Sequence, residues 1–259
     1  MSSSNPKTAI LTVATGKYFG FLNQLLSGIE TNNISTSEIT VFVFTEEAKD
    51  ITNTKLNVER VFWDKTNWPD PTLLRYHGFL LIDSVLAKFD QILYLDVDMQ
   101  VKSQLPLAIS QKLLAIQHPG YLKVKKAQFE ENKNSLSYLK PVERKVYVCG
   151  GVQGGSSEIY LTAIRQMKNW IDSDLEKGIV ARWHDESYWN KYVNQNIDQT
   201  VILGRQYCWP EQWVTSKNPG KIIALKKNHT ATRNNYSFKS KVRFLLSEVR
   251  MKLLRPRTY

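Results

Sequence analysis

The chain carries only two cysteines, Cys149 and Cys208, in 259 residues. That excludes a disulfide-stapled framework and fits the reducing cytoplasm. No run of 18 apolar residues occurs, so no membrane-spanning helix is expected. Residues Met1 to Lys7 are mostly polar, and the apolar stretch after them is short and ends near Lys17, which does not read as a signal peptide. Internal repeats and low-complexity tracts are missing too. Acids are scarce: 24 Asp and Glu face 35 Lys and Arg, a net charge of +11. Such an excess raises nucleic acid or a membrane as partner. Its distribution decides between them. From Lys239 onward, seven basic residues stand against Glu248 alone, so +6 lies in the tail and +5 in everything before it. With no nucleic-acid-binding motif alongside, nucleic acid is not an expected partner.

A hydrophobic content of 42% is enough for one substantial core. Thr8–Val13, Ile39–Thr45, Val58–Trp63 and Gln91–Leu95 read as strands, rich in β-branched and aromatic residues. Phe19–Glu30 has apolar residues at helical spacing, and Pro71 suits the first turn of a helix running to about Lys88. Strands alternating with helices predict a largely parallel sheet covered by helices. Further on, Leu113–Gln117, Thr200–Leu203 and Ile222–Leu225 read as strands, Ser157–Ile171 and His184–Val193 as helices, and Tyr121–Lys145 as a polar, basic loop. Trp209 reads as core.

Asp96-Val97-Asp98 follows the apolar run Gln91–Leu95 directly. Two carboxylates one residue apart at a strand end point the same way if the chain stays extended. Facing solvent, they can hold a hard divalent cation, and the cation can hold a diphosphate. Ligands of parallel sheets bind at the carboxyl ends of the strands, where Tyr18, Thr45 and Asp96 all fall. Alone, Asp-x-Asp is as well explained by solvated acids capping a strand. The acids of Trp183-His184-Asp185-Glu186-Ser187 and the glycines of Gly150-Gly151-Val152-Gln153-Gly154-Gly155 add context.

Five blocks in order carry a more specific signal: Tyr94–Met99, His118–Tyr121, Cys149–Gly155, Trp183–Tyr192 and Lys227–Asn234. This ordered set resembles glycosyltransferase family six, which includes histo-blood-group A and B transferases, α-1,3-galactosyltransferase and Forssman synthase. The resemblance covers about Thr8 to Asn234. It implies an α/β GT-A fold. It also implies a retaining enzyme that moves N-acetylgalactosamine or galactose from a uridine diphosphate sugar to the 3-hydroxyl of a β-galactoside, sometimes 2-fucosylated.

Carried over residue by residue, the resemblance implies that Asp96 and Asp98 bind Mn²⁺ and, through it, the diphosphate. Glu186 matches the catalytic carboxylate, either a nucleophile or a stabiliser of an oxocarbenium-like ion. Lys227 and Arg233 match a basic pair reaching the diphosphate, and Arg75 an arginine near the donor sugar. Val13, Ala14 and Tyr18 stand where relatives hold uracil. His118, Trp183 and Glu186 line the acceptor side. Asp185 contacts donor hydroxyls. Cys149, Gly150 and Gly151 form the triplet facing the sugar's 2-substituent. Gly151 is small enough for an acetamido group, so UDP-GalNAc is expected ahead of UDP-Gal. Val152 and Gln153 replace apolar or aromatic residues of relatives.

The expected organisation is one GT-A domain over residues 1–237, with a nucleotide-binding half (8–117) and an acceptor-binding half (118–237). Residues 238–259 form a basic tail. In the tail Val242, Leu245, Leu246, Val249 and Leu253 alternate with Arg and Lys, as in a basic amphipathic helix. It is a candidate for docking on an anionic membrane, and with the lack of an N-terminal anchor it predicts a cytoplasmic protein of bacterial or phage type, peripheral on the inner face. Two rivals stay open: a sugar-nucleotide-binding protein without transfer activity, and a basic membrane- or nucleic-acid-binding module.

Overall fold

Parallel strands buried on both faces read as unbroken apolar runs, and the first half of this chain is built from them. The computed structural model describes residues 6–33, 38–51, 54–107 and 111–227. The expected basic helix after residue 238 and Arg233 lie outside the described residues.

The main sheet is assembled from β1 (Lys7–Val13), β2 (Glu38–Thr45), β3 (Asn57–Phe62), β4 (Gln91–Leu95), β6 (Leu113–Gln117), β7 (Val148–Ser156) and β8 (Thr200–Leu203). Their spatial order is β3-β2-β1-β4-β7-β6-β8. The pairs β1–β2, β2–β3, β1–β4 and β6–β8 are parallel; β7 is antiparallel to both its neighbours. The expected mixed α/β, mostly parallel architecture is therefore present. A second, small sheet joins β5 (Met99–Val101) to β10 (Ile222–Ala224), with β9 (Trp209–Pro210) on the far side of β10.

Alternate residues of each strand feed two cores. Ala9, Leu11 and Val13 of β1, with Phe42, Phe44 and Tyr94, pack against α3 (Arg75–Leu80), α5 (Ser157–Glu176) and α6 (Asp185–Gln195). Ile10, Val41, Val43, Leu93 and Leu95 face the other way, against α1 (Leu22–Asn33) and the small sheet. Here Gly28 of α1 touches β5 so closely that a Cβ would stand 2.7 Å from the Val101 carbonyl oxygen. Trp209 is buried, as expected of a core residue.

One local expectation needs correction. The helix expected from Pro71 to Lys88 is three short helices, α2 (Asp70–Leu73), α3 and α4 (Asp83–Leu86), with non-helical backbone at Leu74 and Ile82. In a continuous helix Leu73 and Arg75 would sit about 200° apart; the break at Leu74 lets both turn inward, where each is 3% exposed. The glycine cluster, which has little strand propensity, is the nine-residue strand β7 beside the middle of the sheet. Gly154 and Gly155 are required there, since a Cβ on either would lie 2.5 Å from a backbone carbonyl oxygen, of Ile92 and Lys112 respectively.

Candidate active site

Strand order reverses between β1 and β4, and such a switch point opens a crevice at the carboxyl edge of a parallel sheet. A cleft of about 660 Å³ lies there, lined by Val13, Thr15, Tyr18, Trp68, Thr72, Arg75, Tyr94, Asp96, Asp98 and Lys227, among others. Both aspartates reach it by a turn rather than by strand alternation: β4 stops at Leu95, and the Met99 N–H closes back on the Asp96 carbonyl at 3.1 Å. Asp98 is buried, not solvent-facing. The small sheet brings in a cation. Because β10 runs antiparallel to β5, the chain leaving β10 passes Asp98, and the Leu225 N–H donates to the Asp98 carbonyl at 3.0 Å. Two residues later the Lys227 ammonium pairs with Asp98 Oδ2 and lies 5.3 Å from the centre of the Tyr18 ring.

Arg75 is the cation on the inner side. Its guanidinium stands 4.5 Å from the Tyr94 ring centre, donates to Asp96 Oδ1 at 3.2 Å and to the Gly150 carbonyl at 3.4 Å, and lies 3.4 Å from Asp185 Oδ2. The Tyr94 hydroxyl also donates to Asp96. Burial alone would raise Asp96; Arg75, Lys227 and the Tyr94 hydroxyl outweigh it and hold the carboxyl below its ordinary value. Asp185 shows the opposite balance. Burial exceeds the attraction of Arg75, with Asp96 and Glu186 adding repulsion, and pushes it up to about 7. Two carboxylates aimed into one cleft, already facing cations, fit a hard divalent ion that takes its remaining ligands from a diphosphate and water. Among the described residues no third His, Cys, Asp or Glu joins them.

Strand β7 separates this cleft from Glu186. Its glycines let the acids close in. A Cβ on Gly151 would lie 2.6 Å from Met99 Cε and 2.8 Å from Asp96 Oδ2; one on Gly150 would lie 3.1 Å from Glu186 Cβ. Helix α6 is zipped to this strand by two asparagines four residues apart. The Asn190 amide bonds the Val148 N–H and carbonyl, both at 2.8 Å, and Asn194 Oδ1 accepts from the Lys145 and Val146 N–H groups. At its N-terminus, His184 takes φ 51° and ψ −127°, a strained turn for a side chain other than glycine, and its ring packs edge-on against Trp68 at 4.9 Å. Glu186 follows in the first helical turn, with the Gly150 N–H donating to Oε2 at 2.8 Å and the Tyr147 hydroxyl to Oε1 at 2.9 Å. Burial dominates and pushes Glu186 up to about 7 despite both donors.

His118 packs at a tilt against Tyr121 at 4.8 Å and meets Tyr147 edge-on at 5.6 Å. Burial pushes it down to about 4. The Trp183 backbone N–H donates to Ser187 Oγ at 3.0 Å, while its indole N–H is buried without a partner among the described residues. The loop expected over Tyr121–Lys145 is well anchored. Glu130 accepts the Asn132 and Arg182 N–H groups, and the fully buried Asp174 carboxylate accepts the Leu136 N–H and the hydroxyls of Ser135 and Tyr188.

The structure thus gathers Val13, Tyr18, Arg75, Asp96, Asp98 and Lys227 around one cleft; Gly150, Gly151, Asp185 and Glu186 stand beside it without lining it, Gly151 against Asp96 and Gly150 against Asp185 and Glu186. The Ala14 and Cys149 side chains instead belong to the core behind, where Cys149 neighbours Cys208. Sequence reasoning missed Tyr147, Met99 and the buried Gln153, whose amide donates to the Gly150 carbonyl at 2.8 Å and accepts from Tyr76 at 2.9 Å.

A mostly parallel sheet with an acid-bearing cleft at its switch point and a half-buried glutamate behind it defines a glycosyltransferase of GT-A architecture. The sequence model of Glycosyltransferase family 6 matches residues 3–234. An O-antigen biosynthesis glycosyltransferase of Escherichia coli, WbnI, is 27% identical over 230 residues, covering 87% of this chain and 97% of the relative. Histo-blood group ABO system transferase 1 of Rattus norvegicus is 26% identical over 89% of this chain and 69% of its own length. Globoside alpha-1,3-N-acetylgalactosaminyltransferase 1 of Gallus gallus is 25% identical over 89% and 70%. The chain belongs to glycosyltransferase family 6 and is a hexosyltransferase. No helix among the described residues is long and apolar enough to cross a membrane.

Proposed function

We propose that this transferase moves N-acetylgalactosamine, with retention, from UDP-GalNAc to the 3-hydroxyl of a β-galactoside, and that it works with Mn²⁺. The observation that carries the reading is the placement of Asp96 and Asp98 in one cleft with Glu186 across the glycine pair of β7. Asp96 and Asp98 would hold the metal, which when bound offsets the charge growing on the departing diphosphate. Lys227, beside Asp98, and Arg233 add positive charge to the same leaving group. Tyr18 offers a ring for uracil. Arg75 keeps Asp96 ionised and ready for a cation. Glu186, half-buried behind Gly150, faces the sugar's reacting carbon. In either of its roles it acts ionised: it forms a bond to that carbon, or it steadies a cation there while the acceptor oxygen enters on the face UDP leaves. His118 and Trp183 receive the galactoside.

UDP-GalNAc is favoured by the bare backbone at Gly151, and the globoside relative is named for the same sugar. One observation favours UDP-galactose as second reading: the Met99 methyl already borders the space a Gly151 side chain would fill, leaving less room for an acetamido group. Membrane docking through the basic segment from Lys239 to Arg257 belongs to the same proposal; deleting it should abolish sedimentation with anionic vesicles and spare transfer to a soluble acceptor. The deciding experiment incubates the protein and Mn²⁺ with a panel of UDP-sugars and galactosides and identifies products by mass and linkage. An α-1,3-linked N-acetylhexosamine supports the reading; UDP release without a saccharide product, or full activity in chelator, refutes it.

A further inference from the structure

The Glu186 carboxylate is held at both oxygens, and the two donors differ in kind. The Gly150 N–H is a backbone group, which a side-chain substitution leaves in place. The other donor is a single phenol, that of Tyr147, at 2.9 Å from Oε1. Tyr147 immediately precedes β7 and is 1% exposed. Its ring is caged. Phe129 meets it edge-on at 4.9 Å, Tyr121 at 5.0 Å and His118 at 5.6 Å. The polar loop that supplies Phe129 and Tyr121 is pinned by Glu130 and Asp174. A buried phenol is most cheaply satisfied by one acceptor with good geometry, and here that acceptor is the carboxylate the reaction depends on.

We propose that Tyr147 is the positioning residue of Glu186: its hydroxyl fixes the carboxylate plane against β7, and the aromatic cage of the Tyr121–Lys145 loop fixes the hydroxyl. The inference rests on the reading of Glu186 as the carboxylate beside the sugar's reacting carbon. It gives that loop a task. The loop touches the donor cleft nowhere among its lining residues, yet it aims a group that touches Glu186. A hydrogen bond to a charged group is worth more than a neutral one, and a carboxylate free to rotate loses reactive geometry even when binding is intact.

The test is a double-mutant cycle on kcat. Tyr147→Phe removes one oxygen and keeps the ring. It is expected to lower kcat by about tenfold or more, with donor and acceptor KM changed less than about twofold and UDP affinity unaltered. In a Glu186→Gln background the same change should alter the residual kcat less than about twofold. Phe129→Leu, which keeps the hydroxyl but loosens its cage, is the second variant; a smaller loss of kcat is expected in the wild-type background and none beside Glu186→Gln. Unchanged kcat in Tyr147→Phe, or an equal loss in both backgrounds, overturns the proposal. So does a rise in acceptor KM at constant kcat, which would make Tyr147 an acceptor contact. Full turnover in Glu186→Gln alone would instead show that the reading of Glu186 had failed.

Discussion

The two sides of β7 hold their acids by different means. Toward the cleft, Asp96 and Asp98 are held by full charges, the Arg75 guanidinium and the Lys227 ammonium. Beside Gly150, Glu186 has only neutral donors, a backbone N–H and a phenol. The consequence is electrostatic. Asp96 stays below the ordinary carboxylate range, while Glu186 is pushed up to about 7. Asp96 is ready for a cation at any physiological pH, while Glu186 is poised near neutrality. The difference teaches that the bare backbone at Gly150 and Gly151 stands between acids paired with cations and an acid held by neutral donors.

If that division is real, the largest effect falls on turnover from the Glu186 side. Glu186→Gln should lower kcat by about a hundredfold or more with UDP affinity little changed, read by UDP release and by calorimetry. A comparable loss of UDP affinity would merge the two sides. Next comes the shared cation. Arg75→Met leaves Asp185 buried with no cation beside it, and breaking such a pair costs about 3–5 kcal/mol of stability; the measurement is denaturant unfolding, and a cost below about 1 kcal/mol would mean that Asp185 is protonated in the resting protein.

Asp98→Asn acts on the cleft alone. It should weaken Mn²⁺ and UDP binding together, by about tenfold or more, followed by Mn²⁺ electron paramagnetic resonance and calorimetry, while Glu186 keeps its titration. That titration is the next, smaller test. Ionised Glu186 is the working form, so kcat should rise with pH to a plateau, with a midpoint near 7, where Glu186 and Asp185 both sit. Below the midpoint it should fall by about tenfold per unit. Asp96, held below its ordinary value, contributes no step in that range. A flat profile from pH 5 to 8 would remove the contrast.

Much of the cleft side was legible in sequence. Buried parallel strands announce themselves as apolar runs, and Asp96 and Asp98 stand where such a run ends. The other side was not, for two physical reasons. The β7 glycines have little strand propensity, and their role is set by neighbours distant in sequence: a Cβ on Gly151 would run into Asp96 and Met99, and one on Gly150 would press on Glu186. Tyr147 and Glu186 are 39 residues apart, joined only by the packing of α6 on β7. The break at Leu74 is a similar case, where burial of both Leu73 and Arg75 overrides a pattern that reads as one helix. Gln153 is a buried polar residue in an otherwise small and apolar strand, and only the fold gives it Tyr76 and the Gly150 carbonyl as partners.

The smallest expected effect belongs to His118, and it separates recognition from reaction. The Gly120 N–H donates to His118 Nδ1 at 3.0 Å, which places the ring proton on Nε2. Burial pushes the ring down to about 4, so it stays neutral wherever the enzyme works. A neutral imidazole with one fixed N–H is a donor for a sugar hydroxyl and carries no charge to contribute to the departing diphosphate. His118→Phe keeps a ring against Tyr121 and Tyr147 but removes that donor. Acceptor KM should rise by about fivefold, the worth of one neutral hydrogen bond, with kcat and donor KM unchanged. In the wild type, acceptor KM should be constant from pH 5.5 to 8 even as kcat climbs, because no proton enters or leaves the ring in that range. An acceptor KM that tracks the kcat profile would place His118 and Glu186 in one titrating unit, and the contrast drawn across β7 would then run within the acceptor side as well.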